Sequence, residues 1–350
     1  MALDRGGRWA SLCHGMQAVD TLIVGQGLAG TCLAWELWRR GADFLLVDRE
    51  CGPASSQVAA GLINPVTGKS WSMGWRYAEF FATARGFYRG LEPLLGGVFF
   101  HELAVARVFG AGERAKVAAK LSNCELAHRE VALAPPWRAA QAWEIDGAAR
   151  LDAPGFIAAS REFFRRYGRY RQASADATGA VAGIAAARRV FCEGAVGLLH
   201  GVANILPSRC AKGEILTVSI PGLDEPRLVV GNGGWLVPLG EGRYKAGAPY
   251  EWGTLDDAPS AAGRSWVEGL LAGLLDLPFE VLEHVAGIRP IVRQSQPVIG
   301  PLAGRGGMVI FNGLGSKGAL YAPGAAACLA SWLLDAVPID AELSLERING

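Results

Sequence analysis

Val19-Asp-Thr-Leu-Ile-Val24, then Gly25-Gln-Gly-Leu-Ala-Gly30, then Thr31 to Arg40 and, past Gly41, Asp43-Phe-Leu-Leu-Val-Asp48: this run decides the fold. The first six residues, mostly apolar and β-branched, read as a short buried strand. Thr31 to Arg40 has helical composition and stops at a glycine. The last six form a second buried strand. A strand, helix and strand of this length make a right-handed β-α-β unit with parallel strands. Gly25, Gly27 and Gly30 give G-x-G-x-x-G, weak alone because 47 of the 350 residues are glycine. Here the motif leaves a strand and opens a helix, and Asp48 follows Gly30 by 18 residues at the end of the next strand. That combination is the dinucleotide fingerprint. Gly25 permits the turn, Gly27 lets backbone approach a pyrophosphate, and Gly30 lets helix and strand pack. The helix N-terminus offers N–H groups to phosphate, and Asp48 is expected to accept from ribose hydroxyls.

Outward from this unit the chain is mixed α/β. Helices are expected over Tyr77–Leu95, Pro154–Tyr167, Ser260–Leu274 and about Pro323–Asp335, and strands over Phe99–Phe109, Gly183–Cys192 and Met308–Phe311. Residues 213–250 contain short apolar runs divided by Pro-Gly, Gly-Asn-Gly-Gly and Gly-Glu-Gly, the punctuation of an antiparallel sheet. The expected architecture is α/β: a Rossmann-like domain over 17–95, 146–208 and 285–350, interleaved with an antiparallel-sheet domain over 96–145 and 209–284. Either Met16 is the natural start, or residues 1–16 form a loose N-terminal tail.

Composition sets the class. Hydrophobic residues at 51% and charged residues at 19% allow a large core. A net charge of +1 supplies no basic field for nucleic acid. Seven irregularly spaced cysteines without C-x-x-C, and scattered histidines, argue against a disulfide framework or a metal site and for a reducing, cytoplasmic setting. No apolar run reaches the roughly 18 residues of a membrane span.

Several further blocks occur in a familiar order: Ser55-Ser-Gln-Val-Ala-Ala-Gly-Leu-Ile-Asn-Pro65, Lys212-Gly-Glu-Ile-Leu216, Tyr244-Lys-Ala-Gly-Ala-Pro-Tyr-Glu251, Gly287-Ile-Arg-Pro290 with Pro297-Val-Ile-Gly300, and Asn312-Gly-Leu-Gly-Ser-Lys-Gly318 before Ala322-Pro323. With the N-terminal fingerprint they cover about Val19 to Leu334, and the chain resembles the D-amino-acid oxidase-like flavoproteins, which include glycine oxidase and sarcosine oxidase. The resemblance implies an FAD domain and an antiparallel sheet that roofs the flavin. It implies oxidation of a small amine or amino acid: the α-hydrogen leaves as hydride to flavin N5, the imine hydrolyses, and reduced flavin passes electrons to oxygen or a quinone. No strong protein base is needed if the amine arrives neutral, because the cofactor carries the chemistry. Cys192-Glu193-Gly194 departs from the family's usual Ala-Thr-Gly, and no cysteine lies near Gly287–Gly300 for covalent attachment, so noncovalent FAD is expected.

The residues that the resemblance assigns to FAD are Gly25, Gly27, Leu28, Ala29, Gly30, Asp48, Arg49, Ser55, Ser56, Ala60, Gly61, Leu62, Gly194, Gly313, Gly315, Ser316, Lys317 and Gly318. Arg289 matches the family arginine that grips the substrate carboxylate, a task its planar fork suits; the alternative is pairing with a structural acid. Lys69 either stabilises reduced flavin or steers an acidic substrate, or is a solvated loop lysine. Tyr244 and Tyr250 either cover the site or pack within the sheet. Trp71 and Trp75 are expected in the core.

A second reading concerns nucleic acid. Gly315-Ser-Lys-Gly-Ala-Leu-Tyr-Ala-Pro323 is also similar to the oxidoreductase module that acts on carboxymethylaminomethyl uridine in tRNA, whose substrate is likewise a secondary amine with a carboxylate. The companion methyltransferase domain of the bifunctional form has no counterpart in these 350 residues. A flavin-binding protein without turnover of its own is the third reading.

Overall fold

A computed structural model describes residues 16–52, 54–68, 71–292 and 296–348. The chain forms two compact units, each discontinuous in sequence: Met1–Gly52, Ile157–Cys210 and Pro290–Gly350 in the first, Pro53–Phe156 and Ala211–Arg289 in the second. Residues 53–95, 146–156 and 285–289, expected in the cofactor domain, thus cluster with the second unit. The physical reason is strand pairing and packing. Leu62 and Ile63 pair with Arg150 and Ala149. The ring of Tyr88, on the helix Tyr77–Leu95, lies 5.8 Å from that of Phe100 and 5.1 Å from that of Phe156.

The first unit holds a six-stranded sheet in the order Val298–Pro301, Met308–Asn312, Ile184–Phe191, Gln17–Val24, Phe44–Asp48, Tyr170–Gln172. All neighbours are parallel except Val298–Pro301, which runs antiparallel to Met308–Asn312. Helix Leu28–Arg39 packs against helix Gly318–Asp335. Trp35 is fully buried, its ring 4.7 Å from both Phe163 and Phe164, and its indole N–H donates to Ser160 Oγ at 2.9 Å. Burial of one such ring contributes about 1.5–3 kcal/mol or more, provided the N–H finds a partner. The last helix begins at Gly318 rather than near Pro323. Proline usually opens a helix, but Ala319 to Ala322 already bury against the core, so packing carries the helix through Pro323.

The second unit holds a nine-stranded sheet. Its main path runs Glu280–Arg289, Ala211–Ser219, Arg243–Gly247, Gly234–Gly240, Leu228–Gly231, Phe100–Val108, Gln141–Leu151, Leu62–Ile63, with His128–Ala132 also on Gln141–Leu151. The expected antiparallel sheet has one parallel pair, Leu228–Gly231 with Phe100–Val108. One face packs Leu216, Val218, Leu236 and Ala246 against Val267, Leu270 and Leu274 of the helix Ala261–Leu274. Ser260 caps that helix by accepting the Gly263 N–H at 3.0 Å. Beneath the cap, buried Glu214 accepts from the Ser260 N–H, the Ser260 hydroxyl and His284 Nε2, while buried Lys212 donates to Asp256 and to the Ala258 carbonyl, both at 2.6 Å. These charges are tolerated because each is multiply satisfied. The opposite face carries Val105, Ala148, Ile215 and Val237. Among the described residues no helix is long and apolar enough to cross a membrane.

Candidate functional site

In the first unit the glycine loop stands where the fingerprint requires. Gly25 has φ +101° and donates its N–H to the Val47 carbonyl. A Cβ on Gly30 would lie 1.9 Å from the Gly25 carbonyl oxygen, so only glycine lets the helix approach the strand. Gly27 is the N-cap of helix Leu28–Arg39, which has no side-chain cap and no acid in its first turn. Its N-terminal N–H groups and dipole are therefore suited to an anion. Leu28 and Ala29 occupy that first turn. Thr31 is fully buried with an Oγ1 that has no described partner.

Asp48 braces the loop. Its carboxylate accepts the Gln26 N–H at 2.6 Å and the Glu50 N–H at 2.7 Å. Each oxygen keeps a lone pair for a ribose hydroxyl. Gln26 is buried at 1% exposure and was not singled out by sequence, since it fills a free position of the motif. Its amide donates to the Ile157 carbonyl and accepts from Arg161, locking the loop to the helix Ala153–Arg166. Arg49 is exposed and acts through space on Glu193.

Glu193 caps the short helix Gly194–Leu199 beside the end of the third parallel strand. Its Oε2 is buried without a described partner, and burial pushes its carboxyl above the usual glutamate range, with Arg49 opposing. Asn312, also not singled out, donates to the Gly194 carbonyl and accepts the Gly313 N–H, stitching two strand ends together. Gly313 has φ +77°, and a Cβ there would meet Val292 at 2.6 Å. The Gly315 N–H donates to the Pro290 carbonyl. Ser316 and Lys317 precede the helix that Gly318 opens; burial lowers the Lys317 ammonium pKa, and its Nζ lies 6.0 Å from the Tyr321 ring centroid. The glycine cradle, the uncapped helix and the orphaned buried oxygens of Thr31 and Glu193 fit a dinucleotide.

The remaining cofactor candidates lie in the second unit. Ser55 donates its hydroxyl to the Ile288 carbonyl at 2.5 Å. Ser56 follows in the same short helix Ser55–Val58. Ala60 is buried, Gly61 (φ +67°) accepts the Leu151 N–H, and Leu62 opens the edge strand.

Arg289 ends strand Glu280–Arg289, and its guanidinium sits 3.9 Å from the Tyr250 ring centroid. Nη1 donates to the carbonyls of Lys212 at 3.1 Å and Pro249 at 2.9 Å. The head occupies the space a side chain on Gly213 would take, with Nη2 only 2.2 Å from an added Cβ. Burial pushes its pKa down. No described carboxylate pairs with it. Its Nε and Nη2 hydrogens, the carboxylate-matching fork, are unspent among the described residues. Tyr250 is exposed and stacks on Trp252. Tyr244 is packing: its buried hydroxyl donates to the Leu223 carbonyl and accepts the Glu225 N–H. Trp71 is buried under Arg107, and Trp75 packs on Phe80. Lys69 lies outside the described residues.

The parallel sheet with its glycine loop defines a dinucleotide-binding protein. A family model described as FAD dependent oxidoreductase, of the D-amino-acid oxidase type, matches residues 20–332, and the chain belongs to that family. Its cofactor is FAD. Among curated proteins it is 25% identical to a tRNA 5-methylaminomethyl-2-thiouridine biosynthesis bifunctional protein of Methylibium petroleiphilum, covering 98% of this chain and 61% of that protein. The chain therefore spans about three fifths of that relative. It is 24% identical to a glycine oxidase of Pseudomonas aeruginosa, over 91% of this chain and 95% of that one. Similar solved structures include iminodiacetate oxidase from Chelativorans sp. BNC1, with TM-score 0.77, 22% identity and coverage of 94% and 98%. Glycine oxidase from Geobacillus kaustophilus has TM-score 0.78, 21% identity and coverage of 94% and 98%.

Proposed function

We propose that the protein oxidises a small amine or amino acid bearing a carboxylate. The observation that carries this is the unspent fork of Arg289, a half-buried cation with no described acid beside it. When bound, FAD supplies the hydride acceptor, and noncovalent binding is our reading. Arg289 would hold the substrate carboxylate with two parallel hydrogen bonds, oriented by Tyr250 and by the carbonyls of Lys212 and Pro249. Tyr250 would cover the substrate. A neutral amine needs no side-chain base.

A second reading has one supporting observation: the 25% identity to the tRNA-modifying relative, spread over 98% of this chain. Its target would be a carboxylate-bearing aminomethyl uridine, and Arg289 would serve the same role. One experiment separates the readings. The FAD-loaded protein is mixed anaerobically with glycine, sarcosine, iminodiacetate, other amino acids and undermodified tRNA, and bleaching near 450 nm is followed. Bleaching by a small carboxylated amine supports the first reading; bleaching by tRNA alone supports the second and overturns the first. No bleaching by any of them contradicts both.

A further inference from the structure

Within the second unit a pocket of about 250 Å³ gathers three cations, Arg150, Arg243 and Lys245, around one carboxylate, Asp152. Ala60 and Leu239 are among its apolar walls. Lys245 sits mid-strand in the nine-stranded sheet, opposite Thr217 on one side and Val237 on the other. Arg150 lies opposite Leu62 and His101. Neither the Lys245 nor the Arg150 side chain makes a hydrogen bond or ion pair with a described residue, although burial pushes both pKa values down. Glu283 and Asp152 act on Lys245 through space only, and Arg150 opposes them. Asp152 spends one oxygen on the Gly155 N–H. Among the described residues, the Arg243 side chain reaches only the exposed Glu241, at 3.4 Å. Partly buried cations that outnumber the acid among them, and pair with none at contact distance, are costly, and apolar residues of similar size would serve the fold better. A central strand position like that of Lys245 ordinarily takes a β-branched side chain.

We propose that this pocket binds the acidic end group, carboxylate or phosphate, of a small ligand, at a site separate from Arg289. Separation follows from register. Arg289 pairs with Ala211 and Lys245 with Thr217, six residues apart on the strand the two share as neighbour. At roughly 3.3 Å per residue their backbones stand about 20 Å apart along it, while the even spacing keeps both on one face. A ligand the size of glycine cannot span that distance. The proposal does not depend on the substrate reading, because it concerns binding alone.

The test is calorimetric titration of FAD-loaded Arg289→Ala protein, which silences the other carboxylate site, with succinate and with inorganic phosphate. At least one should bind, with affinity that falls as salt is raised. Adding Lys245→Met should weaken that binding at least tenfold, with flavin content unchanged and melting temperature equal or higher. Arg150→Gln, in place of Lys245→Met, should weaken it likewise. The anion that binds identifies the group: succinate a carboxylate, phosphate a phosphoryl group. Binding of neither anion, or affinity in both added variants unchanged from that of Arg289→Ala alone, overturns the site. Loss of FAD from Lys245→Met also overturns it, since the cations would then serve the cofactor.

Discussion

The guanidinium of Arg289 lies over the ring of Tyr250, its Cζ 3.9 Å from the ring centroid, and is tethered on one nitrogen by two carbonyls. Stacking and tethering together fix the plane of the group and hence the direction in which its remaining donors point. A lysine here would keep charge and lose that plane. The geometry thus converts one residue into an oriented receptor, and it assigns different work to the two carbonyls and to the open edge.

The glycines of the dinucleotide loop are expected to fail in different ways. Gly27→Val should give a folded protein with most FAD lost, because the side chain occupies pyrophosphate space. Gly30→Ala should lower stability as well, since its Cβ would fall 1.9 Å from the Gly25 carbonyl oxygen. Flavin absorbance per folded protein, with melting temperature on the same samples, distinguishes the two. Full flavin content in Gly27→Val would contradict the placing of the phosphates.

Glu193 predicts a pH dependence of a definite sign. Its folded pKa is raised by burial. A raised acid contributes stability that is complete below its unfolded pKa and fades as pH rises through the folded value. Glu193→Gln removes that loss, so the variant should melt above the parent on the alkaline side of that range, with the two converging in acid. An orphaned buried polar oxygen costs about 1–3 kcal/mol. Parallel melting curves across pH 4 to 8 would contradict this account.

Glu214 anchors the cap of helix Ala261–Leu274 through Ser260 while facing Lys212 and His284. Glu214→Ala leaves a buried lysine short of its compensation, and breaking such a pair typically costs about 3–5 kcal/mol. A fall in the urea midpoint with little change in slope should result. An unchanged midpoint would show that the network contributes nothing net.

Much of the fold is legible in the sequence because local pattern and tertiary demand agree. The run Tyr77–Leu95 is amphipathic and ends at Gly96 in the left-handed region, and it folds with the expected bounds. The β-α-β unit is equally plain. Where long-range pairing decides, local pattern is silent: nothing near Leu62 announces that it pairs with Arg150, so residues 53–95 seem to belong with the loop they follow. In the site, Asp48 and the glycines carry a spacing signal. Gln26 and Asn312 carry none, since each works through bonds to residues over a hundred positions away. Glu193 is visible only as a departure from a family pattern, and its burial supplies the meaning.

The central claim is that Arg289 binds a substrate carboxylate, and the anaerobic rate of flavin reduction in Arg289→Ala tests it most directly. A hydrogen bond to a charged group contributes about 1.5–3 kcal/mol, and each 1.4 kcal/mol is tenfold, so kcat/KM should fall at least about tenfold and more if both bonds are lost. Flavin content should hold, and Arg289→Lys should recover only part of the rate. The folded fraction is measured on the same samples, so that loss of the tethers to Lys212 and Pro249 is not mistaken for loss of binding. Reduction at the parental rate at low substrate concentration, in folded and FAD-replete Arg289→Ala, would contradict the carboxylate role.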